Sequence, residues 1–212
     1  MATNPDGAAA PSLVERARNI VLTPKTEWER IDAEPATVGS LYRNYIAILA
    51  AIPAIAMAVG MLLFGINLII VTIRPPMATV LSQAVISYVM ALVGVFVLAL
   101  IIDALAPTFG GTKSRIQALK LAAYSYTPAW IAGVLLLLPA LALLVALASL
   151  YSLYLLMLGL PVLMKAPKEK RGGYLAAVIV AAILLYVVIA AVTSAVNRTM
   201  APTVAAPTYT LP

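Results

Sequence analysis

The sequence predicts an all-α, polytopic membrane protein with five transmembrane helices, preceded by a short amphipathic helix on the cytoplasmic side. Three observations carry that prediction. Of the 212 residues 63% are hydrophobic and only 10% are charged, whereas a soluble domain keeps about a quarter of its residues charged to solvate its surface. Long uncharged runs alternate with short basic clusters, which is the pattern of helices that cross lipid. Those clusters also divide unevenly between the two sides of the implied membrane domain, as cytoplasmic and external loops do.

Residues 1–11 are rich in Ala, Pro, Asn and Gly and read as a disordered tail. The segment 12–43 reads as cytoplasmic and amphipathic. Ser12 followed by Glu15 has the spacing of a capping box. Leu13, Val14, Ala17, Ile20 and Val21 then share one helical face, opposite Glu15, Arg16 and Arg18. Pro24 ends this helix or begins the next turn, where Trp28 is expected to anchor a small polar helix at the membrane surface. The first 40 residues are polar and the first apolar run is too long for a signal h-region, so no cleavable signal is expected.

The membrane domain is expected over 44–197. Between Arg43 and Arg74 lie 30 uncharged residues, enough for a first span over 45–64 bent at Pro53. Pro75 and Pro76 break the chain before a second span over 79–102. The turn Ala106-Pro107-Thr108-Phe109-Gly110-Gly111 excludes a continuous helix beyond it. A new helix starts at Ser114, with Gln117 at the third position of a capping box. From Leu121 to Met164 there are 44 residues without a charge. As one helix they would be about 66 Å long, roughly twice the hydrocarbon thickness. The run must double back, most economically near Pro139, giving spans over 116–138 and 141–164. A fifth span follows over 174–196, and 198–212 form a short tail.

Orientation follows from the basic residues. Arg16, Arg18, Lys25, Arg30 and Arg43 precede the first span; Lys113, Arg115 and Lys120 lie between the second and third. Lys165, Lys168, Lys170 and Arg171 lie between the fourth and fifth. In a five-span plan those twelve share one side and only Arg74 and Arg198 lie on the other, which places the N-terminus in the cytoplasm and the C-terminus outside.

Little chemistry is on offer. Histidine and cysteine are both absent, so there is no thiol nucleophile, disulfide or imidazole ligand. Catalysis is not expected, and neither a cofactor nor a metal site is read from the sequence. The polar block of the third span is the principal candidate. Pro128 removes a backbone donor and opens the helix, and Tyr124, Tyr126 and Thr127 stand beside it. Gln117, Lys120, Tyr124 and Thr127 share one face. Tyr151 and Tyr154 on the fourth span are expected to meet this face and close a polar core, and Asp103 to pair with Lys120. The bland reading is a hydrogen-bonded kink; the sharper one is a site for a partner, substrate or lipid headgroup. Lys165, Lys168, Lys170 and Arg171 form a compact basic loop that suits anionic headgroups. The basic residues lie beside apolar runs and form no continuous stripe, which argues for lipid and against nucleic acid.

Several stretches together resemble the Yip domain family, the Ypt/Rab-interacting five-span membrane proteins. They are Thr23-Pro24-Lys25-Thr26-Glu27-Trp28-Glu29-Arg30-Ile31, Leu105-Ala106-Pro107-Thr108-Phe109-Gly110-Gly111, Leu121-Ala122-Ala123-Tyr124-Ser125-Tyr126-Thr127-Pro128, Tyr151-Ser152-Leu153-Tyr154 and Gly159-Leu160-Pro161. The resemblance implies a five-span plan. Eukaryotic relatives bind small GTPases and help shape vesicle membranes, whereas bacterial relatives are inner-membrane proteins. This chain lacks the Asp-Leu-Tyr-Gly-Pro signature of the eukaryotic branch, and its short cytoplasmic segment resembles the bacterial one. The function expected is a non-catalytic scaffold or accessory subunit that self-associates, binds other membrane proteins or organises the bilayer. The alternative is a conduit for a small solute or lipid. No internal repeat supports the alternative.

Overall fold

Two short helices open the chain because each has a stop and a start signal. In the computed structural model, which describes residues 11–68, 71–200 and 208–210, α1 is Leu13–Leu22 and α2 is Pro24–Ala33. Ser12 Oγ accepts from Glu15 N at 3.2 Å, capping α1, and Pro24 occupies the first turn of α2, where its missing donor costs nothing. The tail expected over 1–11 lies, but for Pro11, outside the described residues.

The long helices follow the uncharged runs. Helix α3, Val38–Phe64, is capped by Thr37 and Ser40, which each accept from the other's backbone N–H. It carries a π turn over Tyr42–Ile46, a widening often found at functional positions. It ends at Gly65, and the antiparallel strands β1, Ile66–Leu68, and β2, Val71–Arg74, form a hairpin. Helix α4 is Met77–Leu105 and continues as a 3-10 turn over Ala106–Phe109. After the loop come α5, Arg115–Ser125, and α6, Thr127–Ala132, with a 3-10 segment Gly133–Leu137. The chain reverses through Leu138 and a 3-10 turn at Pro139–Leu141 into α7, Ala142–Leu163. Helix α8 is Arg171–Met200, and strand β3, Thr208–Thr210, adds to β2.

Four helices among the described residues are long and apolar enough to cross a membrane: α3, α4, α7 and α8. The stretch expected to be one helix over 116–138 is broken into α5, α6 and the 3-10 segment. Pro128 is the physical reason, since it cannot donate to the carbonyl four residues back. The small three-stranded sheet departs from the all-α expectation. It sits where hairpin and C-terminus meet, in segments with no helical pattern. Large apolar side chains cover the outside of the helices, among them Leu143, Leu147, Val180, Leu184 and Val187, an exterior matched to lipid rather than water.

One core joins the short helices to the long ones. Ile20, Trp28 and Ile31 are fully buried with Leu121, Leu155, Leu160 and Leu163. Tyrosine hydroxyls tie the long helices together: Tyr42 donates to Leu92 O at 2.8 Å, Tyr88 to Ala47 O at 3.1 Å, and Tyr174 to Ile102 O. At Gly133 an added Cβ would lie 2.6 Å from Pro53 Cβ, so the broken stretch packs directly on the proline of α3.

Candidate functional site

The α1–α2 pair docks on the helices behind it. Trp28 is fully buried, which corrects its expected role as an interfacial anchor. Its indole meets the ring of Tyr124 edge-on at 6.5 Å. Gly159 on α7 makes the space: a Cβ there would stand 2.5 Å from Leu121 Cδ1 and 2.9 Å from Trp28 Cε2. The face of α1 also differs from expectation. Val14 is 73% exposed, whereas Arg16, assigned to the polar side, is buried with Ala17 and Ile20. The helix has turned its arginine inward because its counter-charges are there.

Those counter-charges are Glu27 and Glu34. Arg16 Nη1 donates to Glu27 Oε1 at 2.5 Å and Nη2 to Glu34. The guanidinium also lies 5.7 Å over the ring of Tyr124, a cation–π contact. Burial pulls its pKa down, but the hydrogen bond and charge of Glu34, with Tyr124 and Glu27, hold it above the ordinary value. A buried ion is tolerated when it is paired and hydrogen-bonded in this way.

The polar face of α5 and the first turn of α6 supply the other half of the clamp. Gln117 Nε2 donates to Asp32 O at 3.2 Å and Oδ1 at 3.0 Å. Lys120 Nζ donates to Ile31 O at 2.7 Å and Glu34 O at 2.5 Å, so a cation satisfies carbonyls at the C-terminal end of α2. Thr127 shares a hydrogen bond of 2.7 Å with Tyr45, whose ring packs 4.6 Å from Tyr124. Gln117, Lys120, Tyr124 and Thr127 therefore all face α1, α2 or the π turn of α3. The expected Asp103–Lys120 ion pair is not formed. Lys120 is taken by α2, and Asp103, buried near Tyr174 on the far side of α5, has an Oδ1 without a hydrogen-bond partner.

The four tyrosines do not gather into one cluster. Tyr124 belongs to the clamp. Tyr126 stacks on Trp130 at 5.6 Å and stays partly exposed. Tyr151 donates to Val21 O at 2.7 Å and so tethers α1 to α7. Tyr154, expected to help close a polar core, is 40% exposed on the outside of α7, tilted against Tyr151. The helical repeat turns it away from the core. Pro128 itself is buried at the first turn of α6. In the basic loop, Lys165 adopts a left-handed backbone (φ 53°) and pairs with Asp32 Oδ2 at 2.5 Å. That leaves Lys168 and Lys170 exposed and Arg171 half-buried.

Arg16, Trp28, Asp32, Glu34 and Tyr45 complete the site; of these the sequence singled out only Trp28, and for a different role. Their partners lie 11 to 133 residues away, beyond any local pattern. Among the described residues no group of histidine, cysteine or carboxylate side chains is placed to hold a metal ion. What the arrangement does chemically is fasten: its members bond or pack onto neighbouring helices, while Trp28 Nε1 and Gln117 Oε1 have no hydrogen-bond partner.

The Yip1 domain family model matches residues 18–191. Inner membrane protein YohC of Escherichia coli (strain K12) is 31% identical over 151 residues, covering 69% of this chain and 77% of that protein. YohC of Escherichia coli O6:H1 matches with the same identity and coverage. No solved structure matches significantly.

Proposed function

The chain belongs to the Yip1 domain family of integral membrane proteins, and from that premise we propose that it is a five-span, non-catalytic scaffold or accessory subunit. It associates with other membrane proteins or with further copies of itself, or organises the bilayer around it. The observation that carries this reading is the closed polar face of the third crossing. Lys120, Tyr124 and Thr127 are buried beneath α1, α2 and Tyr45, so the polar groups a conduit would need along its path are occupied by packing.

Five crossings have physical support. The stretch from Arg115 to Leu137 begins beside Asp32 and ends with Leu136 O against Gly60, near the far end of α3. Its 17 α-helical residues, the joining Tyr126 and five residues of 3-10 geometry span roughly 37 Å, enough for a hydrocarbon core of about 30 Å. Strand β3 pairs with the loop between the first two spans, opposite the end where α1 and α2 dock, and an odd number of crossings follows. With the basic excess beside α1 and α2, the N-terminus is cytoplasmic and the C-terminus external. YohC is named an inner membrane protein, and the same bacterial membrane is proposed here. Lys168, Lys170 and Arg171 meet its anionic headgroups.

One observation favours a conduit. A recess of about 560 Å³ has Gln83, Ser87, Thr193 and Ser194 in its wall, with Tyr126 and Trp130. Reconstitution into sealed liposomes decides between the readings. The scaffold passes a panel of small fluorescent and radiolabelled solutes no faster than protein-free liposomes. Saturable flux of any of them would establish the conduit.

A further inference from the structure

The break between α5 and α6 leaves a second cavity, of about 230 Å³, among α4, α5, α7 and α8. Its wall is largely apolar, with Leu98, Leu156, Val178 and Ala182, and none of its lining residues is charged. Three serines line it: Ser149, which bonds within its own helix, and two others, Ser125 on α5 and Ser152 on α7. Ser125 and Ser152 are 4% and 8% exposed, and the Oγ of each is buried with no hydrogen-bond partner.

Those two hydroxyls stand out against other serines of the long helices. Ser82, Ser87 and Ser149 each donate to a carbonyl three or four residues back in their own helix, the usual way a serine is satisfied inside a membrane. Ser125 and Ser152 forgo that bond at a site where an unmet hydroxyl is costly. Each lies near the middle of its helical stretch, Ser125 within 115–137 and Ser152 within Ala142–Leu163.

We propose that this cavity binds an uncharged, lipid-soluble molecule that presents a carbonyl oxygen to the hydroxyls of Ser125 and Ser152. A carbonyl has two lone pairs, so donors from two facing helices can both be satisfied by one group. A carboxylate or phosphate would arrive at this depth without a counter-charge, and a pure hydrocarbon would leave both hydroxyls unmet. The cavity is smaller than the roughly 300–1,000 Å³ that encloses a drug-sized ligand. It therefore takes only the oxygen-bearing end, the remainder lying in the bilayer. A quinone ring and the ester of a neutral lipid share this chemistry. The site does not depend on the scaffold role, since a ligand held there need not cross the membrane.

The test is equilibrium binding of radiolabelled decylubiquinone and of radiolabelled dioctanoylglycerol to the purified full chain in detergent. Saturable one-to-one binding of at least one probe is expected, and the probe that binds identifies the source. Ser125→Ala and Ser152→Ala should each weaken it about 2- to 12-fold, the loss of one neutral hydrogen bond. Ala182→Leu, which fills the cavity, should abolish it. Without ligand, the serine variants should melt at or above the temperature of the parent. Absence of saturation with both probes would overturn the proposal, as would unchanged affinity in both serine variants. A lower melting temperature of the unliganded serine variants would also overturn it, because the hydroxyls would then have partners within the protein.

Discussion

Arg16 is the residue on which the docked arrangement turns. It ties α1 to Glu27 and Glu34, the first inside α2 and the second just past its end, and covers Tyr124. Its raised pKa means that, on the alkaline side, this contribution is kept through the ordinary arginine range and is lost as pH rises through the raised value. Physiological pH therefore does not release it. Arg16→Ala leaves Glu34 without its cation and the buried Glu27 with only the exposed Arg30 at 3.6 Å, and should cost about 3–5 kcal/mol in detergent unfolding experiments. Replacing Arg16 with Met and Glu27 with Leu together should cost less than Arg16→Ala alone, because no charge is then stranded at Glu27. An Arg16→Ala protein as stable as the parent would show the network to be incidental. None of this was legible in the sequence. Helical periodicity alone put Arg16 on the solvent side, and only a partner 11 residues on explains why it turns inward.

At the scale of elements, the third crossing shows what a pattern can and cannot reveal. The spacing of Gln117, Lys120, Tyr124 and Thr127 marked one polar face, and the structure gives all four neighbours in α1, α2 or α3. The pattern could not say what the face meets, because Trp28 and Ile31 suit a membrane surface as well as a helix groove. The deciding feature is Gly159, whose missing side chain admits the indole. Pro128 was correctly suspected of opening the helix, but the tyrosines expected around it are mostly engaged elsewhere. Pro128→Ala restores one backbone hydrogen bond and should leave stability within about 1 kcal/mol of the parent, or raise it. Tyr45→Phe, which removes the bond to Thr127, should lower stability by about 0.5–2 kcal/mol. Both are read by thermal or denaturant unfolding in detergent. A large loss from Pro128→Ala would mean that the break itself is required by the packing on Pro53.

Across the whole molecule, charge asymmetry and run lengths are what the proposed topology rests on, while the cap formed by α1 and α2 emerged only from tertiary contacts. The small sheet escaped notice because Ile66–Leu68 and Val71–Arg74 are too short and apolar to be told from the ends of flanking spans. A reporter active only outside the cytoplasm should work when fused after Arg198 and fail when fused within 165–171; the reverse pattern would overturn five crossings. The central claim is that docked α1 and α2 seal the polar face of the third crossing. It is tested most directly by thiol accessibility, since the natural chain has no cysteine. Tyr124→Cys and Thr127→Cys, assayed separately in right-side-out and inverted vesicles with a membrane-impermeant thiol reagent, should resist labelling from both sides. Lys168→Cys in inverted vesicles should label readily and so report that the reagent reaches the cytoplasmic face. Rapid labelling at positions 124 and 127 would contradict the sealed face and move the function to a water-lined pathway.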